Sequence, residues 1–252
     1  MLSDTWLICE SCLWKGGTLR KDAAVFLRFL HDNDCSFVIL SEDTVRTRED
    51  QAVLYIDQGL SFITKDDIYT SVLAAADRIT EMTPGHRNAG VIGSAGLRST
   101  LREAGFSLDT DRADWVFVGY DREAEINDFN YALRLLRGGA QLIATDMRPY
   151  RETKNGPAVG AGSFVRLLEY ASGKKAAQVC FPSPFMVKGA VNWLSTTMDR
   201  AVLVGSDLQR EIKCGNDAGM TTVYVPASME EDLFEESVRP SYVVVDLYGL
   251  LR

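Results

Sequence analysis

Short apolar runs recur towards both ends of the chain and alternate with segments of helical periodicity. Within residues 22–31, Val25, Phe26 and Phe29 fall on one face of a helix. Short apolar runs separated by helices are typical of a parallel sheet with helices on both faces. We therefore predict an α/β fold built on a doubly wound parallel sheet, with strands near residues 6–8, 37–40, 178–180, 201–204, 222–225 and 242–245.

A second set of alternating strands and helices lies in the middle of the chain. Turn-rich sequence at Pro84-Gly85 and at Gly173 brackets this set. We therefore predict that residues 1–84 and 174–252 form a core domain and that residues 85–173 form an inserted α/β domain. Its expected elements are strands near 91–92, 115–118 and 142–145 and helices at 94–104, 126–137 and up to residue 170. The acidic stretch 229–236 is expected to be a solvated helix or loop.

Composition narrows the classes of partner. The chain has 252 residues, 46% of them hydrophobic, and 35 acidic against 27 basic residues give a formal charge of -8. This charge disfavours nucleic acid and anionic membrane surfaces, and no apolar run is long enough to span a bilayer. A cytoplasmic location is the expectation. The five cysteines form an odd set in a chain with ample core, so reduced thiols are expected.

Several segments carry a family resemblance over nearly the whole chain. They are Leu13 to Gly16, Phe37 to Ser41 followed by Arg46 to Asp50, Pro182 to Met186, and Val204-Gly205 followed by Asp217 to Met220. Together they resemble the haloacid dehalogenase (HAD) superfamily, in its nitrophenylphosphatase-like and NagD-like sugar-phosphatase branch. The resemblance implies a HAD-like, Rossmann-type core with a large α/β cap domain at residues 85–173. It also implies the chemistry of a phosphoric monoester hydrolase that uses Mg²⁺.

The residues that perform this chemistry in the family are replaced here. The family's first strand ends in Asp-x-Asp-Gly, and the matching positions are Cys9 and Ser11, with an alignment across Glu10 that can shift by one place. The family lysine of the third motif corresponds to Phe181, and its Mg²⁺-binding aspartate after Val-Gly corresponds to Ser206. Phosphoryl transfer depends mainly on electrostatic stabilisation, which these residues do not supply. The resemblance therefore implies no catalytic residue at the family positions.

Other residues at the expected site keep polar side chains. The resemblance implies a substrate-binding role for five of them, which are Ser41, Glu42, Asp43, Asp146 and Arg148. Ser41 keeps the hydroxyl of the second motif, whereas the two carboxylates after it would repel a phosphate dianion. Arg148, with Arg151 nearby, could bind an anion, although both also suit an ordinary solvated loop.

The sequence leaves three hypotheses open. The first is a catalytically degenerate phosphatase homologue, a binding or regulatory protein that holds a small anionic or phosphorylated ligand and forms a homo-oligomer through the cap. The second is a Mg²⁺-dependent hydrolase of small phosphate esters with relocated metal ligands. Its candidate ligands are Glu10, Asp207 and Glu211.

The third hypothesis rests on the cysteines. Cys9 and Cys12 have C-x-x-C spacing, and the resemblance brings Cys180 near them. Thiolates bind soft metals such as Zn²⁺ and also form disulfides, so these residues could form a thiol metal site or a redox site. Cysteine is also a small, easily buried residue, and the favoured interpretation is that these three fill core space left by the family's carboxylates.

Overall fold

The computed structural model describes residues 5–153, 155–226 and 238–251, so the acidic stretch 229–236 lies outside the described residues. The chain forms two compact units. The first unit comprises Met1–Ser41, Glu49–Tyr69 and Phe181–Arg252. The second comprises Glu42–Arg48 and Thr70–Cys180.

The first unit is built around a six-stranded sheet in the order β15-β14-β13-β1-β4-β5. These strands are β1 (Thr5–Cys9), β4 (Ser36–Ser41), β5 (Ile68–Thr70), β13 (Ala201–Gly205), β14 (Thr221–Tyr224) and β15 (Tyr242–Val243), and a small hairpin adds β2 (Trp14–Lys15) and β3 (Thr18–Leu19). The helices are α1 (Lys21–Asp32), α2 (Arg48–Ile56), α7 (Phe185–Trp193) and α8 (Lys213–Asp217). Neighbouring strands from β15 to β4 pair in parallel.

Strand β1 lies inside this sheet because its side chains are apolar on both faces. Leu7 pairs in register with Leu203 on one side and with Val38 on the other. Trp6 packs edge-on against Phe26 of α1, with ring centroids 5.4 Å apart. A parallel strand covered on both faces carries a continuous apolar run, as this one does. The carboxyl ends of β13, β1 and β4 therefore lie side by side at one edge of the sheet.

A buried carboxylate attaches the C-terminal segment to α1. Asp22 accepts two hydrogen bonds from the Arg20 guanidinium, at 3.0 and 2.7 Å, and one from the backbone N–H of Leu247 at 3.0 Å. The hydrogen bonds from Arg20 and Leu247 lower the pKa of Asp22, although burial acts in the opposite direction. Leu247 is itself fully buried. The segment at the end of the chain is therefore part of the first unit's core.

The second unit has its own five-stranded parallel sheet in the order β12-β9-β8-β6-β7. Its strands are β6 (Asn88–Ile92), β7 (Ser107–Leu108), β8 (Trp115–Val118), β9 (Gln141–Ala144) and β12 (Ala177–Gln178), and β10 (Tyr150–Thr153) with β11 (Gly156–Val159) forms an antiparallel hairpin. The helices are α3 (Ser71–Met82), α4 (Ala95–Glu103), α5 (Ile126–Arg137) and α6 (Ala161–Ser172). Apolar side chains from β8, β9, α5 and α6 form its core.

The segment that follows Ser41 in the chain packs within the second unit. The backbone N–H groups of Gly96 and Leu97, at the start of α4, donate to the carbonyls of Val45 and Thr44 at 3.0 and 2.9 Å. The Thr44 hydroxyl accepts a hydrogen bond from the N–H of Tyr120 at 3.1 Å. These bonds satisfy N–H groups that a helix start leaves without an intrahelical partner. Residues 42–48 are therefore joined to α4 by backbone hydrogen bonds.

The α/β fold with parallel sheets, predicted from the apolar pattern, is confirmed. The compact units do not coincide with the predicted domain bounds: the second unit comprises Glu42–Arg48 and Thr70–Cys180, whereas the sequence suggested residues 85–173. Helix α3 accounts for the earlier start, since it packs against α4. The run at 178–180 was expected in the core sheet, and this expectation is wrong. Its strand β12 pairs instead with β9, through Ala177 opposite Ile143.

Candidate functional site

Polar groups gather in the first unit where β13, β1 and β4 end. Strand β1 ends at Cys9, and a single 3-10 turn, Glu10–Cys12, follows it. Strand β4 ends at Ser41, and β13 ends at Gly205, directly before Ser206 and Asp207. Ligand sites of doubly wound sheets lie at the carboxyl ends of the strands. This edge is therefore the candidate site of the core.

The side chain of Glu10 reaches the hydroxyl that closes β4. Ser41 Oγ donates to Glu10 Oε2 at 2.6 Å, and Ser41 is fully buried. The buried Tyr55 lies near this carboxylate: burial raises the pKa of Tyr55 well above its ordinary value, and the negative charge of Glu10 adds to this effect. Tyr55 also accepts a hydrogen bond from Trp14 Nε1 at 2.9 Å.

This geometry favours one of the two alignments that the sequence left open. Cys9 is fully buried at the end of β1, whereas Glu10 is the residue that contacts Ser41. The position next to the second-motif hydroxyl is therefore held by Glu10, one place after Cys9. In this register Cys12, rather than Ser11, stands at the second aspartate position of the family.

Glu211 is held by donors from two separate parts of the first unit. Ser11 Oγ lies 2.7 and 2.8 Å from the two carboxylate oxygens of Glu211. The backbone N–H groups of Ser206 and Asp207 donate to Glu211 Oε2 at 2.8 and 3.1 Å. The side chain is buried, with 6% relative exposure. Burial of a carboxylate is tolerated only where hydrogen bonds replace water, and here the chain supplies them.

A π-helical turn, Leu208–Ile212, directs Glu211 back towards the end of β13. The N–H groups of Glu211 and Ile212 both donate to the carbonyl of Asp207, at 3.0 Å each. The Asp207 side chain caps the same turn by accepting a hydrogen bond from the N–H of Arg210 at 3.0 Å. Turns of this kind are rare, occur mostly as single-turn insertions in helices, and are frequent at functional sites. The irregular turn thus sets the position of both acidic side chains.

These residues do not fit a magnesium site. Mg²⁺ requires oxygen ligands in near-octahedral geometry, usually one or two carboxylates with several waters. Of the three candidate ligands, Glu211 accepts from Ser11, Ser206 and Asp207, Asp207 caps the π turn, and Glu10 accepts from Ser41. In the described part of the chain, no group of three or more His, Cys, Asp or Glu side chains is placed to hold a metal ion.

The cysteines are buried thiols. All five are free and buried, and none forms a disulfide. Burial raises the pKa of Cys12 well above its ordinary value, and the negative charge of Glu211 raises it further. Cys12 is therefore a neutral thiol at physiological pH, whereas thiol exchange needs the thiolate. Among the described residues, Cys9, Cys12 and Cys180 form no group placed to hold a metal ion and no disulfide, so the geometry gives the thiol-site hypothesis no support.

An aromatic side chain stands where the resemblance places a lysine. Phe181 is buried, at 2% relative exposure, and a cis peptide bond joins it to Pro182. A phenyl ring cannot neutralise a phosphate or a carboxylate. The third-motif position therefore contributes packing to the first unit rather than charge.

The remaining candidates lie in the second unit: Asp43 accepts from the N–H of Val45 and pairs with Arg46, whereas Asp146 and Arg148 form a local ion pair. The guanidinium of Arg148 donates to both oxygens of Asp146 at 2.7 to 3.1 Å, and it also donates to the backbone carbonyl of Glu42 at 3.3 Å. Burial alone would lower the pKa of Arg148, but hydrogen bonds and charge from Asp146, with the charges of Glu42 and Asp43, raise it. Arg148 therefore pairs with Asp146, which is itself only 1% exposed. The neighbouring Arg151 stacks over the ring of Tyr120, 4.4 Å from its centroid.

Two features of the site have no signal in the sequence, namely the position of Tyr55 near the Glu10 charge and the contact between Ser11 and Glu211. Tyr55 lies in α2, and no motif connects it with Glu10. The contact between Ser11 and Glu211 joins residues 200 positions apart in the chain. The spacing of residues along the sequence can place them at strand ends, but it does not show from which donors on other strands a carboxylate accepts hydrogen bonds. Both features could be found only from the folded structure.

Comparisons with known proteins define the class. A haloacid dehalogenase-like hydrolase family model matches residues 9–107, and a HAD-hydrolase-like model matches residues 181–250. Chronophin of Rattus norvegicus is 30% identical over 226 residues, which are 85% of this chain and 73% of that relative. The chain therefore belongs to the haloacid dehalogenase superfamily, as the motifs predicted.

Two further similarities place the chain within the superfamily. Dihydroxyacetone phosphatase of Corynebacterium glutamicum is 27% identical over 243 residues, covering 96% of this chain and 88% of that protein. The solved structure of NagD from Escherichia coli K-12 superposes with a TM-score of 0.88 at 26% identity and covers 98% of both chains. The predicted branch, NagD-like and p-nitrophenylphosphatase-like, is confirmed. None of the helices in the described part of the chain has the length and apolar character that crossing a membrane requires.

Proposed function

We propose that this chain is a HAD-family phosphatase homologue that no longer performs metal-dependent phosphoryl transfer and acts as a binding or regulatory protein. The observation that carries this proposal is the state of the Glu211 carboxylate, which accepts from Ser11, Ser206 and Asp207 at 2.7 to 3.1 Å. A carboxylate held in this way is a structural group of the core. The ligand we propose for the protein is a small anionic or phosphorylated molecule.

The replaced residues support the proposal as a set. Loss of one catalytic charge would leave its partners unbalanced and buried, which is destabilising. Here the lysine position is Phe181 and the metal position is Ser206, while the acids that remain accept hydrogen bonds from the chain itself. Losing a nucleophile or a charge clamp commonly reduces phosphoryl transfer by about a thousandfold or more. The chain therefore keeps a carboxylate at Glu10 but lacks the lysine and the metal-binding aspartate that accelerate the reaction in the family.

A second candidate function is a Mg²⁺-dependent phosphatase of small phosphate esters with relocated ligands. The names of the relatives favour this candidate. Two of them, dihydroxyacetone phosphatase and acid sugar phosphatase, are named for the hydrolysis of phosphate esters. One structural observation also favours it: Glu10 provides a carboxylate beside the Ser41 hydroxyl. In this candidate, Glu10 replaces the family nucleophile.

Hydrolysis of p-nitrophenyl phosphate in the presence of Mg²⁺ separates the two candidates. The assay compares the unaltered protein with Glu10→Gln, which keeps the size of the side chain and removes its charge, and with Ser41→Ala, Asp207→Ala as a double variant. If the proposal is right, all three release nitrophenol at the same background rate. Turnover by the unaltered protein that falls about a thousandfold in Glu10→Gln would establish the phosphatase candidate instead.

We also propose a cytoplasmic location and a homo-oligomer formed through the second unit. The acidic net charge of -8 and the free cysteines support the first of these. Exposed apolar side chains of the second unit support the homo-oligomer. They include Tyr150 and Val159, which are cross-strand partners in the β10–β11 hairpin. Sedimentation of the unaltered protein and of Tyr150→Ser, Val159→Ser tests the oligomer. A monomer in both cases would contradict it.

A further inference from the structure

Three donors converge on one point at the carboxyl edge of the first unit's sheet. The Ser11 hydroxyl comes from the turn after β1, and the amides of Ser206 and Asp207 come from the loop after β13. Successive amides, joined by a hydroxyl from another element, are a common way for proteins to bind oxyanions. We infer that Ser11, Ser206 and Asp207 form an oxyanion-binding seat, and that the protein's own Glu211 carboxylate occupies it.

The backbone around the seat is shaped for a close approach by an anion. A β-carbon on Gly205 would lie only 3.0 Å from Glu211 Oε2 and 3.0 Å from Glu211 Cβ. The absence of a side chain at this position lets the carboxylate lie against the end of β13. The π-helical turn Leu208–Ile212 then brings Glu211 to the seat from the C-terminal side. Gly205 therefore leaves space for the Glu211 carboxylate, and the π-helical turn directs that carboxylate to the three donors.

The geometry defines the class of ligand. Ser11 Oγ contacts both carboxylate oxygens, and the two amides share one of them. The seat therefore suits a small oxyanion with at least two acceptor oxygens, such as formate or inorganic phosphate. A tethered carboxylate competes with free anions at an effective concentration of about millimolar or more. Glu211 thus acts as an internal competitor that keeps external oxyanions out of the seat.

Chemical rescue of Glu211→Ala tests the inference. This variant empties the seat, and formate matches the carboxylate that is lost. Thermal unfolding is followed while sodium formate replaces sodium chloride at constant ionic strength. We expect the Tm of Glu211→Ala to rise with formate and to saturate, because a ligand that binds only the folded state stabilises it. The unaltered protein should show no such rise. The readout is binding, so the result does not depend on whether the chain hydrolyses phosphate esters.

Two matched double variants identify the donors. Adding Ser11→Ala to Glu211→Ala removes a hydrogen bond to a charged group and should weaken formate binding about tenfold. Adding Ser206→Ala instead keeps the backbone N–H and should change formate affinity by less than about threefold. Equal effects of the two additions would contradict the assignment of Ser11 to the seat.

The folding behaviour of the variants is also informative. If Glu211→Ala is folded in chloride and formate raises its Tm no more than chloride does, the inference is wrong. If Glu211→Ala folds only in formate, the inference is supported. If this variant folds in neither buffer, the inference is wrong, because the seat should accept formate. Glu211→Gln fills the same space with a poorer acceptor and should have a lower Tm than the unaltered protein. An unchanged Tm in Glu211→Gln would also contradict the inference.

Discussion

Replacing Gly96 by alanine would place a methyl group where the backbone of Arg46 already lies. The added carbon would lie 2.0 Å from the Arg46 carbonyl oxygen and 2.5 Å from the carbonyl carbon, against an ordinary contact of 3.4 Å or more. The obstacle is backbone, so it cannot move away as a flexible side chain would. Residues 44–46 would have to move by more than about 1 Å relative to α4.

The movement has a free-energy cost that can be estimated from the bonds it breaks. The hydrogen bonds from Gly96 to Val45 and from Leu97 to Thr44, at 3.0 and 2.9 Å, would be lost or stretched. Each contributes about 0.5–1.5 kcal/mol to stability. Alanine is favoured over glycine in a helix by up to about 1 kcal/mol, which acts in the opposite direction. With the steric strain included, we expect Gly96→Ala to lower the free energy of unfolding by about 2 kcal/mol.

Calorimetric unfolding of Gly96→Ala beside Gly138→Ala measures this effect. Gly138 ends α5 in the same unit, has an ordinary φ of -77°, and its added methyl would meet nothing closer than 3.3 Å. We expect a fall in Tm of about 4–8 °C for Gly96→Ala and a change within about 2 °C for Gly138→Ala. A Gly96→Ala protein as stable as the unaltered one would show that helix propensity dominates and that residues 42–48 are not fixed to α4.

Two further predictions concern the first unit. Ser11→Ala removes a hydrogen bond to the buried Glu211 carboxylate and should lower the free energy of unfolding by about 1–2 kcal/mol. Ser206→Ala keeps the donating N–H and should lower it by less than about half as much. Urea unfolding of the two variants measures both losses, and equal losses would contradict the site described above. Asp22→Asn should be less stable than the unaltered protein at pH 7, because the lowered pKa of Asp22 means that its ionised form stabilises the fold. This difference should be complete above the ordinary aspartate pKa of about 3.9 and should shrink as the pH falls through the lowered folded-state pKa; a difference that is independent of pH would contradict the role given to the carboxylate.

The apolar pattern was sufficient for most elements of the fold. Helix α5 (Ile126–Arg137) and strand β8 (Trp115–Val118) have the predicted bounds, because a strong helical period ends at a Gly-Gly pair and a short apolar run stands between polar turns. Helices α3 and α7 and strand β5 were not predicted. Helix α3 opens with a run of small or apolar residues, Ser71 to Ala76, and in α7 only Lys188 and Asn192 interrupt such a run, so periodicity does not distinguish a buried helix from a buried strand.

Pairing between distant segments was less predictable than element type. Strand β12 was assigned to the wrong sheet, because its partner, β9, is selected by three-dimensional packing rather than by its own composition. The candidate site was likewise predictable from the sequence only in part. Its strand ends at Cys9, Ser41 and Gly205 follow from the motifs, whereas the one-residue register that directs Glu10 to Ser41 depends on the 3-10 turn after β1.

Divalent-cation binding tests the central claim most directly, namely that the acidic side chains of the core are committed to donors of the chain itself. Mn²⁺ serves as a paramagnetic probe for the Mg²⁺ position, and its electron paramagnetic resonance signal measures free ion during titration. We predict no saturable binding at micromolar Mn²⁺ in the unaltered protein, and the same result in Asp207→Ala. One Mn²⁺ bound per chain with micromolar affinity, displaced by Mg²⁺ and lost in Asp207→Ala, would contradict the account.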